Sequence, residues 1–178
     1  MNPDPSFTIR GYVAADATHL AQLYFESASV LGARRYTPQQ IAVWAPAPPS
    51  PKAVHARATD GRLTMVACAP NGQRLAYGDL EPNGHIDHLY AHPQAAGRGV
   101  AKALLDRLIE VASQCDMPNL HVEASELARG LFERAGFYVV KRRDFEISGV
   151  TIHNYAMERR ATLRSGRKTW CTARISYS

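Results

Sequence analysis

Gln94-Ala95-Ala96-Gly97-Arg98-Gly99-Val100-Ala101-Lys102-Ala103 follows the strand-like run Leu89-Tyr90-Ala91 and opens an amphipathic stretch. In that stretch Ala101, Leu104, Leu105, Leu108, Val111 and Ala112 share one face, which predicts a long helix over about 98–114. A strand, a turn of small residues and a helix start leave several N–H groups without backbone partners. The helix dipole adds partial positive charge there, so the turn suits a phosphate or pyrophosphate. Gly97 and Gly99 let the backbone approach such a ligand with no Cβ in the way. Two phosphate-loop patterns are excluded. The chain contains no Gly-Lys pair, as G-x-x-x-x-G-K-[ST] requires, and G-x-G-x-x-G would need Gly or Ala where Lys102 stands. The pattern that fits is Q/R-x-x-G-x-G/A, from Gln94 to Gly99.

Outward from this turn the chain reads as alternating small elements. Phe7–Arg10 has the look of a first strand, and Asp16 is placed to cap a helix carrying Leu20, Leu23, Tyr24 and Leu31 at helical spacing. Thr37-Pro38-Gln39-Gln40 announces a second helix: Thr37 as N-cap, Pro38 as first residue, Gln40 completing a capping box. Pro46, Pro48, Pro49 and Pro51 end it. Segments Ala53–Ala58, Leu63–Ala69, Arg74–Leu80 and His85–Ala91 read as strands, separated by Asp60-Gly61, Asn71-Gly72 and Asn83-Gly84 turns. Downstream, Asn119–Ala124 reads as a strand and Leu127–Arg134 as a helix stopped at Gly136. Tyr138–Ile147 and Val150–Glu158 then form a hairpin around Ser148-Gly149. The expected class is α+β, with a mixed, mostly antiparallel sheet.

With 178 residues, 46% hydrophobic and 21% charged, the chain suits one globular domain over 1–160. Residues 161–178 form a basic tail, expected to be a disordered or interaction-bearing extension. Arg164, Arg167, Lys168 and Arg174 there account for four of the five net positive charges. The nearly neutral remainder is not the footprint of a nucleic-acid binder. No apolar run approaches the ~18 residues of a membrane span, and Met1-Asn2-Pro3-Asp4 does not open a signal peptide, so a cytoplasmic protein is expected. Cys68, Cys115 and Cys171 lack C-x-x-C spacing, and no metal site is expected.

Three blocks in order carry a family resemblance: Gly84–Pro93, Gln94–Gly99, and Ser125-Glu126-Leu127-Ala128-Arg129-Gly130-Leu131-Phe132-Glu133-Arg134-Ala135-Gly136-Phe137. The last is similar to N-x-x-A-x-x-L-Y-E-K-x-G-F. Together they resemble the GNAT (Gcn5-related) N-acetyltransferases over roughly residues 6–160. Arg35–Pro46 further resembles the Y-T-x-x-Q-x-x-x-W-A-P stretch of a bacterial YafP-like subgroup. The resemblance implies the GNAT fold, whose central strands splay in a V that admits acetyl-CoA. It implies pantetheine along Leu89, Tyr90 and Ala91, and pyrophosphate at Gln94 and the N–H groups of Gly97, Arg98, Gly99, Val100, Ala101 and Lys102. Arg98 and Lys102 side chains either bind phosphate or form a solvated helix face. The expected reaction is acetyl transfer to a primary amine of a small molecule or peptide, with a homodimer possible. The alternative of another class is a non-catalytic acyl-CoA-binding module.

The resemblance leaves the proton carriers open. Asp87 is the first candidate base, directly or through a water, and His85 the second; the alternative for each is an exposed sheet face or a structural hydrogen bond. A carboxylate in mid-sheet must be hydrogen-bonded or functional, since burying it unpaired costs several kcal/mol. The family's tyrosine acid is Phe132 here and its asparagine is Ser125, so the usual acid assignment does not carry over. Tyr155 is a candidate donor or a packed strand aromatic, and Ser125 a candidate pantetheine contact. Tyr24, Tyr36 and Trp44 are candidates for an aromatic wall around the acceptor.

Overall fold

The protein is described by a computed structural model over residues 6–160. Its strands form two antiparallel sheets. The first is a meander of β1 (Thr8–Gly11), β2 (Leu63–Cys68), β3 (Arg74–Leu80) and β4 (Leu89–Ala91) in spatial order. The second holds β5 (Asn119–Ala124), β6 (Tyr138–Ile147) and β7 (Val150–Arg160) in the order β5-β7-β6. Ser148 and Gly149, both at positive φ, close the β6–β7 turn.

The sheets meet through a parallel bridge between His85 and His121. Ile86 N–H donates to the His121 carbonyl at 2.9 Å, and His121 N–H to the Gly84 carbonyl at 3.0 Å. Gly84 is required there twice over. Its φ is +87°, and a Cβ would stand 2.2 Å from the Asn119 carbonyl oxygen. Beyond this bridge β4 pairs only with β3 and β5 only with β7, so the expected V-shaped splay is present.

The helices are α1 (Ala17–Glu26), extended by a π turn over Ser27–Leu31, α2 (Pro38–Trp44), α3 (Pro51–Ala58), α4 (Val100–Gln114) and α5 (Arg129–Arg134). The apolar stripe of α4 buries Leu104, Leu105 and Leu108 completely, against Met65, Leu80, Ile86 and Leu120. Each such side chain stabilises the fold by about 1.5–3 kcal/mol. On the opposite face of the first sheet, Leu20 and Leu23 of α1 pack on Val66 and Tyr77. The Thr37–Gln40 capping box forms as expected, with Thr37 N–H donating to the Gln40 side chain at 2.9 Å and Gln40 N–H to Thr37 Oγ1 at 3.2 Å.

Three expectations are corrected. Pro51–Ala58 is a helix, not a strand: Ser50 Oγ accepts the Ala53 N–H at 3.2 Å and Pro51 holds the first position, the same Ser/Thr-Pro start that opens α2. The strand expected from His85 begins only at Leu89, because the buried Asp79 carboxylate takes the Asp87 and His88 N–H groups at 3.1 and 3.0 Å. Asp16 makes no side-chain cap on α1. It is fully buried, receives the Val13 N–H, and is ion-paired to Arg10 and Arg74. Burial alone would raise its carboxyl pKa, but those hydrogen bonds bring it down to about 2. The tail from 161 onward, with Cys171, lies outside the described residues.

Candidate active site

Where the two sheets part, a cleft of about 300 Å³ opens between them. Leu89 and Tyr90 of β4 face Val122, Glu123 and Ala124 of β5 across it. Among the described residues the β4 edge turned toward β5 has no strand partner, so its N–H and C=O groups are available to an extended, amide-bearing ligand. Ser125 and Phe132 also line the cleft. Phe132 is buried, edge-on to Phe137, with ring centroids 5.1 Å apart. Ser125 Oγ accepts the Ala128 N–H at 3.2 Å. Tyr24, Tyr36 and Trp44 close the helical side, and Phe145, Ile152, His153 and Asn154 the hairpin side.

β4 leads directly into the glycine turn. His92 Nδ1 accepts the Gln94 N–H, and a single 3-10 turn, Pro93–Ala95, follows. Gly97 and Gly99 stand at φ +77° and +79°, in the left-handed region that glycine occupies without strain. Gly99 caps α4, whose first backbone bond runs from Ala103 N–H to the Gly99 carbonyl at 2.9 Å. The N–H groups of Gly99 through Lys102 therefore have no partner within the helix. Apart from the adjoining residues, no atom of the described residues lies within 4 Å of where a Cβ on Gly97 or Gly99 would sit, which leaves room beside the turn. Arg98 is exposed, and Lys102 is paired to Asp106 at 2.6 Å.

Beneath the cleft lies an ion network that the sequence did not announce. Asp79 is buried and receives Arg57 of α3 at 3.0 Å and Arg62 at 3.3 Å, besides the two N–H groups of the splay. The Arg57 guanidinium also pairs closely with Asp87. Burial would raise the Asp87 carboxyl pKa, but the Arg57 bond outweighs this and holds it below the ordinary value. A carboxylate so held is a weak proton acceptor, which counts against Asp87 as the direct base. His85 lies at the junction, not among the cleft-lining residues. Its ring stacks on His121 at 4.8 Å, Nε2 stands 2.7 Å from Glu123 and Nδ1 3.5 Å from Glu81. Both its nitrogens are thus turned to carboxylates. Glu81, His85 and Asp87 bring ligand-type atoms within 4.8 Å of one another, but Arg62 and Arg57 already sit on the two acids.

His88 lines the cleft inside an aromatic cluster. Its Nδ1 is 3.0 Å from the Tyr77 hydroxyl, and its ring stacks on Tyr24 at 5.8 Å. Burial is the main cause that depresses its pKa to about 4, so the ring is neutral near pH 7. Burial likewise pushes the phenols of Tyr24, Tyr36 and Tyr90 up.

The far wall is pinned by Tyr36, whose hydroxyl donates to the His153 carbonyl at 3.0 Å and accepts the Glu126 N–H at 2.8 Å. Tyr36 therefore lines the cleft with its ring while its polar end ties the α2 region to β7. Tyr155 belongs to the main core, and its hydroxyl donates to Glu126 at 2.6 Å under the Arg129 guanidinium. In this structure the hydroxyl proton of Tyr155, the candidate donor toward the leaving sulfur, is turned to Glu126. Glu126 and His153 were not singled out from sequence. Nothing in a run of alternating strand residues reveals that β7 and the segment after β5 will bring them to 3.0 Å.

A sequence profile described as an acetyltransferase (GNAT) domain matches residues 32–159. The chain is 30% identical to the uncharacterized N-acetyltransferase YafP of Escherichia coli K12 over 151 residues, 84% of this chain and 93% of that protein. Among solved structures, a GCN5-related N-acetyltransferase from Rhodopseudomonas palustris superposes with a TM-score of 0.78 at 30% identity, over 86% of this chain and 95% of that one. A phosphinothricin acetyltransferase from Sinorhizobium meliloti, solved with acetyl-CoA, shares the fold with a TM-score of 0.73 at 20% identity, over 96% and 97%. Matched by that profile over most of its length and 30% identical to that relative, the chain belongs to the GNAT acetyltransferases, as a YafP-like member.

Proposed function

We propose that the protein transfers the acetyl group of acetyl-CoA to a primary amine of a small molecule or peptide, both substrates being bound together. The observation that carries this reading is the unpaired β4 edge at Leu89–Ala91 running into the Gly97–Lys102 turn. The edge offers strand-like hydrogen bonds to pantetheine, and the turn offers N–H groups to pyrophosphate. Alignment of two bound reactants supplies about 7–11 kcal/mol of the barrier, so this positioning is the main catalytic contribution. Asp87, paired with Arg57, forms part of the cleft wall, and removal of the ammonium proton falls to a group other than this ion-paired carboxylate. The departing thiol has a pKa near ~8.5, so its thiolate can leave without a tyrosine where Phe132 stands. Tyr24, Trp44 and the ring of Tyr36 form the apolar wall for the acceptor.

Phe132 also favours a second reading, a module that binds acyl-CoA without turning it over. A panel of amines assayed for thiol release from acetyl-CoA separates the two: amine-dependent release supports the enzyme, and binding without release supports the module. Gly99→Glu should abolish coenzyme binding by placing a carboxylate in the turn. Unchanged affinity would remove the pyrophosphate assignment.

A further inference from the structure

We propose that His153 is the base that takes the proton from the acceptor ammonium, with Glu126 as its positioning residue. The inference rests on the acetyltransferase reading and adds the group that does its proton chemistry. His88 and His153 are the imidazoles that line the cleft among the described residues. His88 is enclosed by aromatic rings and bonded to Tyr77, and burial depresses its pKa to about 4. Asp87 is neutralised by Arg57, and both nitrogens of His85 face carboxylates. His153 has neither handicap. Its Nε2 is 3.0 Å from Glu126 Oε2, and no hydrogen bond to its Nδ1 is found among the described residues.

The tautomer follows from Glu126. Hydrogen bonds from Tyr155 and His153 hold its carboxyl below the ordinary value, so it is an acceptor only. Nε2 must then carry the proton, and the lone pair of the neutral ring lies on Nδ1. The same carboxylate stabilises the imidazolium that forms, as a carboxylate behind a histidine does in acyl-transfer sites generally. Asp144 of β6 stands opposite His153 and is paired to Arg142, Arg129 lies over Tyr155, and the phenols of Tyr36 and Tyr155 both approach the ring, with centroids 5.8 Å away.

The step balances. The ammonium loses one proton to Nδ1, and the freed nitrogen pair forms the C–N bond at the thioester carbonyl carbon. The C–S bond then breaks, and its electron pair leaves with sulfur. A second proton from that nitrogen ends on the thiolate, giving amide and free thiol, and the imidazolium returns its proton to solvent.

The test compares parent, His153→Gln and Glu126→Gln for amine-dependent thiol release across pH 5.5 to 9.5. Acetyl-CoA affinity is measured by calorimetry and the His153 ring is titrated by NMR. General-base loss predicts a roughly 10²- to 10³-fold lower kcat for His153→Gln, with the acid limb of the profile gone and coenzyme affinity within twofold of the parent. Glu126→Gln should move the acid limb of the profile and the NMR titration of His153 together, a correspondence that a merely structural ion pair would not produce. An acid limb and kcat unchanged in His153→Gln overturn the base while leaving the acetyltransferase reading intact. An unmoved NMR midpoint in Glu126→Gln overturns the pair. A parent that binds acetyl-CoA and releases no thiol with any amine overturns the acetyltransferase reading and this inference with it.

Discussion

Replacing Gly84 with alanine tests whether the two half-sheets are hinged at a single crowded point. Three costs are readable at this position. A left-handed φ, here +87°, costs an alanine about 1–2 kcal/mol. The new methyl would stand 2.2 Å from the Asn119 carbonyl oxygen, where a relaxed C···O contact needs about 3.3 Å, so backbone must move by roughly 1 Å. That movement strains the bonds from Ile86 N–H to His121 and from His121 N–H to Gly84, each worth about 1 kcal/mol. The sum is about 3–4 kcal/mol, a large part of an ordinary domain's stability and a fall in Tm of about 6–16 °C. Gly61→Ala is the internal control. Its φ is +106° with no neighbour within 4 Å of the added methyl, so it carries the backbone cost alone. Thermal unfolding followed by circular dichroism measures both, and coenzyme affinity should fall further for Gly84→Ala because the bridge sets the gap between β4 and β5. If Gly84→Ala unfolds no lower than Gly61→Ala, the crowding argument is wrong.

Asp16 predicts an acid-dependent stability. Its folded pKa of about 2 lies below the ordinary 3.8, so its contribution, about 2 kcal/mol, is complete above pH 4 and is lost as pH falls toward 2. Asp16→Asn should be destabilised near neutrality and lose less than the parent on acidification; parallel curves in denaturant titrations at pH 3 and 7 would refute the ion-pair assignment. Asp79→Asn replaces an acceptor of five hydrogen bonds from four residues with an amide that turns an NH₂ toward either the arginines or the two splay N–H groups. A loss of about 3–5 kcal/mol and a raised KM for acetyl-CoA are expected, and a parent-like Tm would count against the network.

How much of this could be read beforehand depended on the range of the interactions. The α4 stripe, the Thr37 cap, the Asx-Gly turns and the glycine-bearing phosphate turn are local, decided within a few residues by periodicity or by φ. Pro51–Ala58 was equally local, and its reading as a strand failed because Ser50-Pro51 is a helix start of the same kind as Thr37-Pro38. The partners of Asp79 lie at positions 57, 62, 87 and 88, and no spacing rule connects them. Glu126 and His153 are 27 residues apart and meet only because β5 and β7 pair and Tyr36 bonds both segments. Long-range polar contacts of this kind carry no periodicity, and the candidate proton carriers of the site depend on them.

Asp79 also accounts for the parting of the two sheets. Two neighbouring N–H groups, of Asp87 and His88, point at a side-chain carboxylate instead of continuing the strand ladder. Asp79 therefore does at this point what a strand partner would otherwise do, and it lets β4 turn away from β5 without an unsatisfied donor. A buried carboxylate is tolerable there only because Arg57 and Arg62 arrive from α3 and the turn after it. Helix α3 is thus more than a cover on the sheet, since it delivers the cation that allows the splay and also pairs with Asp87 at the mouth of the cleft. An arginine that both neutralises the hinge and restrains the nearest cleft carboxylate couples the shape of the cleft to its charge. A second group, with a lone pair of its own, is then needed for proton transfer, and the opposite wall supplies His153.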